Sequence, residues 1–249
     1  MKCLLNRSII VLLILVGAGC KKNVLDIEMV YISGGMFLMG SEQEEADQDE
    51  RPIHEVYVRD FYLGKYEVTQ AQWKAVMMRN PSYKRHPNLP VESVSWDECQ
   101  QFINRLNKLT GKQYRLPTEE EWEYVAYRGF QSVQQNEMPL YAWCKDSYEE
   151  QTRTNLVSHK VGMLRPNKLG IYDQIGNVHE WCANSYDSLS YIHGITHDND
   201  EKVFRGGCFL SENKYIRLAN RNHTHRDTRH YTLWLRLAMD VLERTESGK

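Results

Sequence analysis

Three hydroxyl residues, each followed three positions later by Gln or Glu, constrain this chain more than any other feature. They are Thr69 with Gln72, Ser95 with Glu98 and Thr118 with Glu121. In such a capping box the hydroxyl accepts from the N3 backbone N–H and the N3 side chain accepts from the cap's own N–H. Donors that a helix start leaves open are thereby satisfied. Apolar residues follow each box at helical spacing: Trp73, Val76 and Met77; Cys99, Phe102 and Ile103; Trp122, Val125 and Ala126. Each predicted helix therefore carries one buried stripe. Beyond residue 130 long helical patterns stop, and short strand-like runs return from Val203 to Asp240. Ahead of the first helix, Met29 to Met39 (MVYISGGMFLM) reads as two strands around the tight-turn signal Ser33-Gly34-Gly35, and His54 to Tyr62 alternates like a strand. No repeat or linker divides residues 29–240, so the reading is one loop-rich α+β domain. About two hundred residues this irregular call for extra fastening, by metal or disulfide.

The first nineteen residues read as a secretory signal. Lys2 and Arg7 form a basic n-region, Ile9 to Val16 is a short apolar stretch, and Gly17, Ala18 and Gly19 lead to Cys20. Small residues before a cysteine resemble a lipobox, which makes Cys20 the expected lipid anchor. Residues 20–28 are then a tether and 241–249 a tail. The predicted location is the cell envelope, on a bacterial membrane. Past residue 20 no apolar run reaches the 18 residues that a spanning helix needs. A net charge of −2 argues against a nucleic-acid partner, which would call for a basic stripe. Cys99, Cys144, Cys182 and Cys208 remain in the body, where an oxidising compartment allows disulfides in any of three full pairings. The run Ser41 to Arg51 (SEQEEADQDER) is an acidic, solvated loop.

Six blocks of text in fixed order carry a resemblance. They are Met29–Gly40, Tyr66-Glu67-Val68-Thr69, Pro90-Val91 with Val94-Ser95-Trp96, Arg115–Tyr124 (RLPTEEEWEY), Gly170–Trp181 (GIYDQIGNVHEW) and Arg205-Gly206-Gly207. Together they resemble the sulfatase-modifying-factor, or formylglycine-generating-enzyme, family over residues 29–240. The resemblance implies an irregular α+β fold of C-type-lectin type. It also implies a site at which the founding enzymes oxidise a sulfatase cysteine to formylglycine, with O2 and a copper(I) ion on two cysteines. Soft thiolates suit that soft ion. Aligned without gaps, the two ligand positions fall at Ser211 and Ile216, neither of which supplies a thiolate, so copper is not expected. Cys208 stands in place of the serine after the two glycines. His179 replaces a family tryptophan, and Trp234-Leu235-Arg236 replaces the usual Gly-Phe-Arg.

The resemblance also implies a structural calcium ion on the loop Asp173 to Glu180, held by Asp173 and Glu180 with contributions from Gly176 and Val178. Hard oxygen donors of this kind suit Ca2+, which takes six to eight ligands. A second family calcium site would begin at Asn155 and Leu156, but its downstream acidic segment is missing.

The segment Asn220 to Trp234 (NRNHTHRDTRHYTLW) is unusually rich in His and Arg. Alternate histidines His223 and His225 on a strand face one way and, with His230 and Asp227, offer a metal site. Its mixture of Arg, His, Tyr and Trp better suits an adaptable contact surface, here assigned to Cys208, Ser211, Arg221, Arg226, Arg229 and Trp234. Two functions follow. The first is a non-catalytic binding or scaffold lipoprotein that contacts an envelope protein or glycan through residues 205–234. The alternative is a formylglycine-generating or related oxidase with a rearranged site at Cys208.

Overall fold

The computed structural model describes residues 23–147, 156–194 and 197–242. The signal segment, Cys20, Asn155 and most of the tail lie outside the described residues. All three capping boxes form. Thr69 accepts from the Gln72 N–H while the Gln72 side chain accepts from the Thr69 N–H at 2.9 Å, and the same reciprocal pair recurs at Ser95 and Thr118. The helices they start are α1 (Gln70–Met77), α2 (Trp96–Thr110) and α3 (Glu119–Phe130). The α1 and α2 stripes meet at Trp73 and Phe102, whose rings stack at 4.9 Å.

Three sheets frame these helices. In the first, β1 (Met29–Ile32), β4 (Phe61–Gly64), β10 (Ala238–Asp240) and β5 (Tyr114–Arg115) lie in that order. The second is a two-stranded ribbon of β2 (Gly35–Met39) and β3 (His54–Val58). The third runs β8 (Asn222–His225), β7 (Glu201–Arg205), β6 (His179–Ser185) and β9 (Leu233–Trp234), with β6 and β9 parallel. A four-residue helix, α4 (Ser190–His193), joins β6 to β7. Both expected strands appear in Met29–Met39, yet they do not pair with each other. The Ser33-Gly34 link carries the chain from the first sheet to the ribbon, because β1 finds its partner in β4 and β2 in β3.

The expected fastening by a disulfide is not what this arrangement uses. Cys99, Cys144, Cys182 and Cys208 are buried free thiols. The loop-rich half is tied instead by buried ion pairs. Arg205 donates to Glu119 and Glu123, Arg221 to Glu119, and Arg236 to Glu180. Trp73, Trp122, Trp181 and Trp234 are all fully buried, and Trp122 donates to Glu180 and lies under the Arg205 guanidinium.

Gly34 sits where the chain changes sheets, and an added Cβ would lie 2.2 Å from the Val58 carbonyl oxygen and 2.5 Å from the Arg59 carbonyl carbon. Both are backbone atoms that cannot swing aside. Gly34→Ala is expected to destabilise by about 1–3 kcal/mol, the usual penalty of overpacking, read as a lower urea midpoint.

Candidate functional site

The conspicuous loop of the sequence, Asp173 to Glu180, delivers four acidic or amide side chains, Asp173, Gln174, Asn177 and Glu180, to the buried interior. Glu180, on β6, is fully buried and accepts from Arg236 Nε at 3.0 Å and from Trp122 Nε1 at 2.9 Å. Arg236 also donates to the carbonyls of Gly64 and Tyr172, each at 2.9 Å. Asn177, held at φ +52, donates to both oxygens of buried Glu67 at 3.1–3.2 Å. Asp173, at φ +53, accepts from the Gly162 N–H at 2.6 Å through Oδ2, while its buried Oδ1 has no partner.

Three carboxylates thus surround one guanidinium, and burial dominates the titration of two of them, Glu67 and Asp173. It raises Glu67 well above the usual carboxylate range and pushes Asp173 up to about 6, with the neighbouring carboxylates adding to both shifts. Asp173 fits a cation by its open Oδ1, but both Glu180 oxygens are engaged by Arg236 and Trp122. No group of three His, Cys, Asp or Glu side chains among the described residues converges as metal ligands do. As folded, the set expected to hold calcium does not fit an ion of six to eight oxygens, because the Arg236 guanidinium already neutralises Glu180.

Around Arg205-Gly206-Gly207 the thiol chemistry is equally plain. Cys208 is buried, its Sγ 3.5 Å from Ser211 Oγ, and Ser211 Oγ also accepts from the Cys208 N–H at 3.0 Å. Burial pushes the thiols of Cys208 and Cys144 up, away from the reactive thiolate. Ile216 is buried under Gly207, where a Cβ would meet its Cγ2 at 2.7 Å. His179 packs edge-on against Phe204 at 4.9 Å, and burial holds it down at about 3, so it is neutral.

The segment expected to form one contact surface is dispersed. Trp234 lies in the core, and Arg221 is buried on Glu119 at 2.8–2.9 Å. Cys208 is buried as well. All three are withdrawn from the surface because a desolvated ring, guanidinium and thiol each find a packed or paired place inside. Arg226 pairs with Asp97 at 2.8 Å and lies over the Trp96 ring, and Arg229 donates to Glu98 at 2.8 Å. The histidines do not converge on an ion. His223 pairs with Glu201 and stacks on Tyr186, His225 pairs with Asp227, and His230 bonds Thr232.

What the structure brings together instead is a cleft of about 530 Å3. Phe209, Arg229, His230 and Tyr231 form one wall, and Tyr83 and Lys84 contribute from the long connection between α1 and α2. Sequence reasoning missed Tyr83 and Lys84, which sit in text that reads only as loop. The available signal was an aromatic–cation pair held between two firmly capped helices.

Removing Arg236 would leave Glu180 buried and unpaired, so Arg236→Ala is expected to cost about 3–5 kcal/mol of unfolding free energy. Asp173 supplies a test against a bound cation. A carboxyl at about 6 in the folded chain and 3.8 in the unfolded one binds its proton more tightly when folded. Its contribution to stability is therefore present below about pH 4 and is lost as pH rises towards 6. Asp173→Asn keeps the left-handed backbone and is expected to raise Tm by roughly 2–4 °C at pH 7.5, closing the gap with the parent by pH 4. A lower Tm at pH 7.5 would mean that a cation holds this carboxylate.

With this geometry in place, the comparisons with known proteins are direct. The chain matches the sulfatase-modifying factor enzyme 1-like domain over residues 19–241. It is 30% identical to the protein named chaperone protein LppX of Paenibacillus barcinonensis, covering 74% of this chain and 79% of that one. It is 25% identical to the formylglycine-generating enzyme of Streptomyces coelicolor, covering 85% and 89%. Among solved structures it superposes on PvdO from Pseudomonas aeruginosa with a TM-score of 0.75 at 24% identity, covering 87% of this chain and 95% of that one, a likeness of fold. The mixed helices and short sheets are those of the irregular C-type-lectin-like fold, and the chain belongs to the sulfatase-modifying factor family.

Proposed function

We propose that this protein is a non-catalytic binding or scaffold member of its family, anchored to a membrane of the cell envelope through Cys20. In this reading it holds an extended polypeptide segment in the cleft between Tyr83 and Tyr231. One observation carries the proposal: the positions that would supply the two copper-binding thiolates are Ser211 and Ile216, one bonded to Cys208 and the other buried in the core. A hydroxyl and an aliphatic side chain neither bind copper(I) nor pass an electron, and the two thiols beside them, Cys208 and Cys144, are buried and pushed towards the protonated form. The cleft offers exposed tyrosine faces beside Lys84 and Arg229, a surface suited to peptide groups and side chains. The name chaperone borne by the relative from Paenibacillus favours a polypeptide over a glycan.

Two measurements test this. With copper(I), O2 and a peptide carrying Cys-x-Pro-x-Arg, the full chain is expected to yield no aldehyde by mass spectrometry; aldehyde lost in Cys208→Ser would establish the oxidase instead. In pull-downs from envelope extract, Tyr231→Ala with Tyr83→Ala is expected to reduce partner recovery at least roughly tenfold without changing Tm. Undiminished recovery would place the contact elsewhere, and recovery abolished by glycosidase treatment of the extract would identify a glycan.

A further inference from the structure

A second and larger recess, about 1010 Å3, lies where the acidic loop 41–51 meets α3 and the segment 213–219. It shares no lining residue with the cleft at Tyr231. Its lining is mixed: Leu38, Ile53 and Tyr127 are exposed at the mouth with Phe130 and Met138 deeper, and Gln43, Gln131, Asn213 and Arg217 stand between them. Leu38 is 53% exposed and shares the outer face of the β2–β3 ribbon with Met36, at 58%, and with Tyr57, at 65%, which stands opposite Met36 in register. Large apolar side chains gathered this way mark a contact surface, whereas scattered ones do not.

The rim has the opposite character. Loop 41–51 carries six carboxylates and one arginine. Its inner members hold the loop in place: Glu50 and Asp47 pair with Arg217, at 2.8 and 3.4 Å, and Asp49 accepts from the Tyr186 hydroxyl at 2.8 Å. Arg51 turns inward, donating to the Gln43 and Ala46 carbonyls at 2.7 and 3.3 Å. Glu44 and Glu45 are left at the surface, and Glu42, exposed and lining the recess itself, accepts from the Ile53 N–H at 3.3 Å and lies 3.9 Å from Arg51. The recess thus joins an exposed apolar mouth to an anionic rim whose nearest cations, Arg51 and Arg217, are already paired within the fold. A compact metal ion does not suit it, since no group of three ligating side chains forms among the described residues. A chain with apolar side chains flanked by cations complements both features.

We propose that this recess docks a basic amphipathic polypeptide segment, with its apolar residues on Leu38, Ile53 and Tyr127 and its Lys or Arg side chains on Glu42, Glu44 and Glu45. This site is separate from the cleft at Tyr231 and does not depend on what that cleft holds.

The test uses the full chain and a fluorescein-labelled eight-residue peptide of alternating Lys and Leu, followed by fluorescence anisotropy. The expected result is saturable binding that weakens as salt is added, with no binding of peptides in which Glu replaces Lys or Ser replaces Leu. Leu38→Lys combined with Glu42→Lys should weaken binding at least roughly tenfold, because both residues would contact the peptide directly. Tyr231→Ala should leave it unchanged. Tyr127→Ser carries the same expectation as the double variant should the latter fail to fold. Equal binding of the Glu peptide, full affinity in the folded recess variants, or loss of binding in Tyr231→Ala would each overturn the proposal.

Discussion

The pairing of Arg236 with Glu180 is the interaction on which the rest of the molecule depends. A guanidinium with five donors is one of the few groups able to bridge chain segments that share no ladder. Here it joins the end of β4 at Gly64, the loop at Tyr172 and the strand β6 at Glu180. Its surroundings exclude water, so neither charge tolerates the loss of the other. The second knot, Arg205 and Arg221 on Glu119 and Glu123, fixes α3 to the β7 and β8 side in the same manner. Few residues lie in regular strands, and these knots give a loop-rich chain the constraint that longer ladders supply elsewhere.

That central pairing also shapes what the site can hold. Glu180 is claimed by Arg236, which leaves Glu67 and Asp173 as buried acids with raised proton affinity. The interior therefore favours protons and a guanidinium over a hard cation. Near Cys208 the same exclusion of water keeps the thiols protonated. A fold shared with an oxidase does not by itself carry the oxidase chemistry. The surface carries a cleft with aromatic and cationic walls and a separate recess of mixed lining under an acidic rim.

Legibility in the sequence followed the distance over which each interaction acts. Capping boxes span three residues, so the starts of α1, α2 and α3 were readable directly. The family blocks likewise located the Asp173–Glu180 loop and the Arg205-Gly206-Gly207 turn. By contrast, nothing near Trp234 or Arg221 announced burial. Their His- and Arg-rich surroundings read as a solvated contact segment, whereas the ring fills the core and the guanidinium reaches Glu119, 102 residues away in the chain. Tyr83 and Lys84 were missed for the same reason, since a cleft wall belongs to two segments and neither shows it alone.

The sequence by itself determined the helix starts, the family and that Ser211 and Ile216 stand at its two thiolate positions, because each depends on residue identity at short or fixed spacing. Only the tertiary structure decided that β1 and β2 join different sheets, that Arg236 takes the carboxylate expected to bind calcium, and which aromatic residues face solvent. Those outcomes depend on contacts between segments far apart in the chain. Competition for a buried charge or an open strand edge is settled only when all the competitors are in place.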